Sequence, residues 1–283
     1  MRAWAQPLLA LPPVAAGVRI YARYDAVDGG LLAGGLAYSA LFAIVPAILL
    51  AAGLIGLLVG DPARRADAIA FVAAVLPPLR DLVQAILDEA GRDAGALGVI
   101  GAATLAWGAS RFVVTFADTV ARVMGRSISR GALARNGTAM GVVLLVPLAI
   151  VAGAALAGVM SLLGLAERQG VIGVIGEAAG LALGFLPAVA TVLIVGLVYR
   201  IVPTPPAPWR AVGLPALAVG LALTVLLQAF VFLAPRLIGV AALLGTIAAI
   251  FAALAWLSLS FQAILLGAAW VGDREARAGS VDA

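Results

Sequence analysis

The chain of 283 residues contains no cysteine and no histidine. Without cysteine, disulfides, thiol catalysis and iron–sulfur ligation are excluded. Without histidine, the commonest metal ligand and the usual general base are missing. These two absences remove thiol chemistry and histidine-based catalysis and metal binding before any motif is considered.

Charge is also scarce, because 11% of the residues are charged while 64% are hydrophobic and the mean hydropathy is +1.14. A soluble domain is about half apolar and about a quarter charged, so this composition exceeds what a soluble core can absorb. We therefore predict an all-α, polytopic membrane protein. A spanning helix needs about 20 apolar residues, and six stretches qualify: 30–59, 95–118, 137–164, 174–199, 211–233 and 239–271.

All 18 basic residues are arginine, and their distribution predicts the orientation. Eleven lie on the side of the two termini: Arg2, Arg19, Arg23, Arg122, Arg126, Arg130, Arg135, Arg200, Arg210, Arg274 and Arg277. Six lie on the opposite side, and one lies within a span. The positive-inside rule then places both termini in the cytoplasm. There the arginines would face anionic lipid, whereas nucleic acid is a poor partner because no basic domain exists to hold it.

The two terminal segments flank a single membrane domain, 30–272. In the N-terminal segment 1–29, residues 14–25 predict an interfacial helix, since two arginines one turn apart accompany two tyrosines that suit the headgroup region. The C-terminal segment 273–283 is short, small and charged. It is expected to be a disordered cytoplasmic tail.

Residues 60–94, between the first two predicted spans, predict a periplasmic helical hairpin. Asp61-Pro62 is typical of a helix start, and Pro77-Pro78 separates two helices. The second helix carries apolar residues on one face and charged residues on the other. This amphipathic hairpin either caps a cavity or lies on the lipid surface, or it simply packs its apolar stripe against the bundle.

Small residues form a ribbon on the fourth predicted span, where Gly176, Gly180 and Gly184 recur at spacing four. Such ribbons allow close helix approach in lipid. The ribbon predicts tight packing within the chain or, alternatively, a dimerising face in a homo-oligomer.

Three predicted spans carry a proline near the middle, namely Pro46, Pro147 and Pro187. Each proline removes a backbone hydrogen bond and tends to kink its helix. Backbone groups freed in this way must meet protein or water. The three prolines therefore predict hinges around a central cavity, or they are ordinary kinks in long helices.

Arg111 is the one charged residue well inside a predicted span, near the inner interface. Its long side chain can snorkel to the headgroups, or it can contact a bound lipid-like molecule. Tyr38, in the inner half of the first span, is a second candidate contact. We expect a cavity near Tyr38 and the three prolines, opening toward the cytoplasmic leaflet with Arg111 close to its mouth.

Catalytic patterns of soluble enzymes are missing from the sequence. There is no GxxxxGK[ST] loop, no HExxH and no Ser-His-Asp set. The sequence therefore predicts no enzymatic activity, no cofactor and no metal site.

Four blocks of the sequence resemble the YihY/virulence factor BrkB family of bacterial inner-membrane proteins. They are LAYSALFAIVP from Leu36, WGASRF from Trp107, YRIVP from Tyr199 and the long apolar block from Leu243 to Ala269. The motif residues that carry the resemblance are Tyr199, Arg200, Pro203, Gly245, Trp256 and Gly267. The four blocks occur in order over most of the chain.

The chain also departs from the family pattern. Family members usually have two aromatic residues where this chain has Tyr38-Ser39, and they often end the last block in Gly-Ala-Glu where it has Gly267-Ala268-Ala269. The resemblance implies six helices with both ends inside, and envelope roles such as lipid or lipopolysaccharide-precursor export. An old ribonuclease label attached to the family is implausible for a chain with no histidine, no cysteine and no soluble catalytic domain.

Two functions follow as hypotheses. The first is transport or export of a lipid-like or amphipathic envelope molecule across or along the inner membrane. It accounts for the kinked spans, the arginine-rich inner face and the missing midplane carboxylate. The alternative is a structural or assembly scaffold of the cell envelope without transport activity, which the glycine ribbon fits equally well.

Overall fold

The computed structural model describes residues 12–58, 61, 112–126, 174–203, 205–240 and 245–279. All regular structure in this part of the chain is helical, which confirms the predicted all-α class. The helices are α1 (Pro12–Asp25), α2 (Gly29–Leu58), α3 (residues 112–123), α4 (Val174–Ile201), α5 (Trp209–Val240) and α6 (Gly245–Gly279).

Two of the described helices are long and apolar enough to cross a bilayer. Within the described residues, Trp209–Leu233 of α5 and Ile250–Ala278 of α6 each qualify as a span. The pair α1 and α2, bent by 60° at its break, could supply a third. The chain is thus a multi-pass membrane protein, while the total of six spans and the hairpin at 60–94 remain predictions that fall largely outside the described residues.

The break between α1 and α2 follows from a turn at residues 26–28. Asp28 takes a left-handed backbone conformation (φ 54°), and its amide donates to the Asp25 carbonyl at 2.9 Å. Directly after it, Gly29 lies under the ring of Tyr24, where the Cβ of any other residue would overlap the ring. The predicted helix over 14–25 is therefore present, and it is set at 60° to α2.

The helices pack in a defined order around a core of small and branched residues. α5 contacts both α4 and α6, and α6 also contacts α2 and α1. α4 and α5 approach each other closely at Gly220, since a Cβ there would lie 2.7 Å from the Cα of Val192. The predicted ribbon of Gly176, Gly180 and Gly184 lies in α4, but its surroundings are outside the described residues.

The end of α6 differs from the sequence expectation. α6 continues without a break to Gly279, so the expected disordered tail is wrong for residues 273–279. Charged residues that looked like a solvated tail instead form the last two turns of a helix. Their side chains contact other elements, as described below, and these contacts are the physical reason for the order.

Candidate functional site

Polar and charged groups of the described helices gather at one end of the bundle, which we call the arginine-rich end. It contains the end of α1, the α1–α2 turn, the end of α3, the α4–α5 connection and the end of α6. Its charged residues are Arg19, Arg23, Asp25, Asp28, Arg122, Arg126, Arg200, Arg210, Asp273, Arg274, Glu275 and Arg277. Arginines outnumber carboxylates at this end by eight to four.

The end of α3 is closed by a glycine-based capping motif. The amide of Arg126 donates to the Ala121 carbonyl and the amide of Gly125 to the Arg122 carbonyl, each at 2.9 Å. This pair of bonds is the Schellman arrangement, which needs a left-handed residue after the helix. Gly125 supplies it with φ 78°. The chain direction after α3 is thereby fixed, and Arg126 is aimed at its partners.

Arg126 connects three elements at the arginine-rich end. Its Nη2 lies 2.7 Å from Oε1 of Glu275 on α6, and its Nη1 donates to the carbonyl of Pro205 in the α4–α5 connection. The side chains of Arg126 and Glu275 are only 18% and 17% exposed. Arg126 therefore makes two hydrogen bonds to two different elements, and its ion pair with Glu275 is largely enclosed. Such an arrangement holds the three elements together better than an exposed ion pair does.

Asp273 and Arg274 make further links from α6. Asp273 accepts from Arg277 one turn later and lies 3.5 Å from Nε of Arg19 on α1. Arg274 donates to the backbone carbonyl of Arg210 at 2.7 Å. α6 therefore holds α1, the start of α5 and the segment after α3 through three consecutive charged residues.

The YRIVP block ends α4 and begins the connection to α5. Tyr199 is fully buried, and its hydroxyl donates to the Ile264 carbonyl of α6 at 2.6 Å. Gly267 makes room for this hydroxyl, because a Cβ there would overlap it. The resemblance placed Tyr199 and Gly267 in separate blocks, and the structure brings them into contact.

Arg200 and Pro203 complete this connection. The guanidinium of Arg200 donates to the Ala207 carbonyl at 3.0 Å and stacks over the ring of Trp209, with its Cζ 4.9 Å from the centroid. Pro203 is fully buried. The arginine of this motif therefore shapes the connection, and its charge faces an aromatic ring rather than a carboxylate.

Arg23 differs from these engaged arginines. Its Nη1 is buried and has no hydrogen-bond partner in the described structure. The guanidinium lies between Gly272 of α6 and the Met124–Gly125 turn, since a Cβ on Gly272 would lie 2.5 Å from Nη1 and 2.6 Å from the Met124 carbonyl oxygen. Gly272 thus leaves a slot that admits this side chain beside the Met124–Gly125 turn.

The outer face of α1 is apolar beside these charges. Val14, Val18 and Tyr21 recur at helical spacing and are all exposed. Arg19 lies among them with its side chain 46% exposed. Burial raises the pKa of the neighbouring Tyr24, whose ring packs inward against Gly29. α1 therefore presents an amphipathic surface typical of a helix at the bilayer boundary.

Within the bundle, polar groups are few. Asp118 lies six residues before Met124, about 9 Å deeper, and its Oδ1 is buried without a hydrogen-bond partner among the described residues. Nε1 of Trp256 is in the same situation, with its ring 6.2 Å from that of Phe230. Tyr38 is 60% exposed, and its ring lies against that of Phe42 at an interplanar angle of 56°, with the centroids 4.8 Å apart.

The remaining predicted site residues are only partly described. Arg111 and Pro147 lie outside the described residues, while Pro46 and Pro187 lie in α2 and α4 with only their backbone described. Gly245 is the first residue of α6. The predicted cavity therefore stays a prediction. Among the described residues, no three His, Cys, Asp or Glu side chains are grouped to hold a metal.

The network at the arginine-rich end has a weak sequence signal. Neither Asp273 nor Glu275 stands out in the sequence, because each is one charge in a short polar segment. Their partner Arg126 is 149 residues away from Glu275 along the chain. Helical periodicity continued past residue 271 is the pattern that would have placed both carboxylates on a helix.

Among the comparisons with known proteins, a family model matches the chain. No curated protein and no solved structure matches the chain. A family model described as Virulence factor BrkB matches residues 20–280, which include all the elements of the arginine-rich end after Arg19. The chain therefore belongs to the virulence factor BrkB family of membrane proteins.

Proposed function

We propose that this protein transports or exports a lipid-like, anionic envelope molecule across or along the bacterial inner membrane. The observation that carries the proposal is the arginine-rich end, where eight arginines gather at one end of the described helices. The proposal makes anionic lipid the partner of this end and puts both termini on the cytoplasmic side.

The position of α1 supports a lipid rather than a soluble anion. The chain bends by 60° between α1 and α2. If α2 crosses the bilayer, α1 is therefore inclined toward the plane of the membrane at the bilayer boundary. Its exposed Val14, Val18 and Tyr21 suit the headgroup and upper acyl region. A basic residue near an anionic leaflet contributes about 1 kcal/mol of attraction, so several arginines would concentrate anionic lipid at this end.

Binding and movement fit the described groups better than catalysis. The carboxylates Asp273 and Glu275 are engaged by Arg19, Arg277 and Arg126. They hold helices together and are poorly placed as an acid and a base for a substrate. The proposal therefore includes no enzymatic step.

The test is reconstitution of the purified protein in vesicles with fluorescent phosphatidylglycerol, followed by an impermeant reductant added outside. The proposal expects that more than the outer half of the fluorophore is bleached in vesicles with the protein. Protein-free vesicles and vesicles with heat-denatured protein are the controls. Bleaching that stops at the outer leaflet in all three samples would refute transport of this lipid class and favour the envelope scaffold.

A further inference from the structure

We infer that Arg23 binds the phosphate of an anionic lipid headgroup at the arginine-rich end. This inference rests on the proposed function and names the residue that recognises the anion. It begins from the buried Nη1 of Arg23, which has lost water without gaining an acceptor in the described structure. Arg23 as a whole is half-buried, but an N–H group closed off from water without an acceptor is costly, and a nearby anion would stabilise the charge.

The protein's own carboxylates at this end are already engaged. Asp273 lies against Arg19 and Arg277, and Glu275 against Arg126. Asp25 and Asp28 are exposed at the α1–α2 turn, and no ion pair joins either of them to Arg23 in the described structure. No described carboxylate therefore neutralises the charge of Arg23, and this charge can attract an external anion.

The slot around the guanidinium gives the site its shape. On one side, Gly272 and the Met124 carbonyl enclose Nη1. On the other side, Nη2 lies beside Gly125, where a Cβ would be 3.9 Å away, and Gly125 is itself exposed. An anion reaches the guanidinium along this exposed glycine edge.

The location also suits a headgroup. Arg23 is in the last turn of α1, the helix with the exposed apolar face. Arg23 follows Tyr21 by two residues, so Arg23 lies on the opposite face of α1 and a phosphate there would sit on the bundle side of this helix, at the level of the α1–α2 turn. A guanidinium donates charged hydrogen bonds to phosphate oxygens, and here its Nη2 edge is the one that faces the exposed Gly125.

The first experiment compares lipid retention by native mass spectrometry for wild-type protein and Arg23→Gln with phosphatidylglycerol. We expect Arg23→Gln to weaken binding by about tenfold to a hundredfold, the range of a charged hydrogen bond. Arg122→Gln removes the same charge from an exposed site at the same end and measures the loss of general electrostatic attraction, which should be less than about tenfold. Equal retention by Arg23→Gln and Arg122→Gln would overturn the site.

Competition with inorganic phosphate separates the two sources of the anion. If phosphate displaces the lipid only at concentrations far above those of the lipid, the headgroup is the ligand. If phosphate alone binds the wild-type protein as tightly as the lipid does, the site serves free phosphate and the assignment to a headgroup is overturned.

A measurement on unmodified protein covers the case in which Arg23→Gln fails to fold. Phenylglyoxal modifies accessible arginines, and peptide mass spectrometry reports each site. Phosphatidylglycerol, but not phosphatidylcholine, should protect Arg23 while Arg122 stays reactive. Equal modification of Arg23 with both lipids would overturn the site. If the wild-type protein moves lipid but phosphatidylglycerol does not protect Arg23, this inference alone is refuted. If the wild-type protein moves no lipid, the proposed function is refuted.

Discussion

Replacing Gly267 by alanine should loosen the contact between α4 and α6. A Cβ at this position would overlap the hydroxyl oxygen of Tyr199 and lie 2.5 Å from Cγ2 of Val219 and 2.9 Å from Cζ of Tyr199. The tyrosine has little freedom to retreat, because it is fully buried and its hydroxyl donates to the Ile264 carbonyl at 2.6 Å.

The expected cost has two parts. Overpacking of a well-filled core costs about 1–3 kcal/mol, and loss of the Tyr199 hydrogen bond adds about 1 kcal/mol. Gly267→Ala should therefore lower the free energy of unfolding by about 2–4 kcal/mol. Gly213→Ala is the matched control, since nothing lies within 4 Å of a Cβ there. Because alanine favours a helix interior, this control should be neutral or stabilising by up to about 1 kcal/mol.

A double-mutant cycle with Tyr199→Phe tests the reasoning. Phenylalanine removes the oxygen that the new methyl group meets, so the double variant should be more stable than the sum of the single changes by about 1 kcal/mol or more. Unfolding in detergent, titrated with dodecyl sulfate and followed by tryptophan fluorescence, measures all four proteins. Additivity within about 0.5 kcal/mol would refute the proposed contact, as would a Gly267→Ala variant as stable as Gly213→Ala.

Two further predictions concern the ion pairs and the topology. Glu275→Gln should destabilise the protein by about 1–3 kcal/mol because its pair with Arg126 is largely enclosed. Arg19→Gln should cost less than about 1 kcal/mol because its pair with Asp273 is more exposed. Thermal unfolding in detergent at fixed salt compares the two variants, and equal losses of stability would contradict the ranking. For the topology, Ala66→Cys and Ser280→Cys in this cysteine-free chain should react with an impermeant maleimide from opposite sides of the membrane. Labelling of both positions from outside intact cells would contradict cytoplasmic termini.

The spans were predictable to different degrees. The predicted spans 174–199 and 211–233 fall within α4 and α5, because long apolar runs bounded by charge or proline have few alternatives in a bilayer. α6 was placed less well, since it begins at Gly245 rather than 239 and continues past 271. Its last turns are polar, and hydropathy carries no signal for a helix that is stabilised by ion pairs.

The arginine-rich end was predictable only as a charge distribution. Counting arginines by segment places them on one side, but it does not choose partners. The pairing of Arg126 with Glu275 depends on the Gly125 turn and on where α6 ends. The slot around Arg23 depends on the space left by Gly272 and on the turn at Gly125, and nothing in a local pattern relates these two glycines.

The length of α6 has a mechanical consequence. Its 35 residues extend about 52 Å, whereas the hydrocarbon core is about 30 Å thick. The surplus carries Asp273 and Glu275, to which α1 and the segment after α3 are tied. These elements are thus anchored to a rod that projects from the membrane rather than to the lipid around it. When the bilayer thins or thickens, the spans can change tilt while these ion pairs keep α1, the segment after α3 and the end of α6 at fixed distances from one another. We therefore expect the geometry around Arg23 to be independent of the thickness of the membrane.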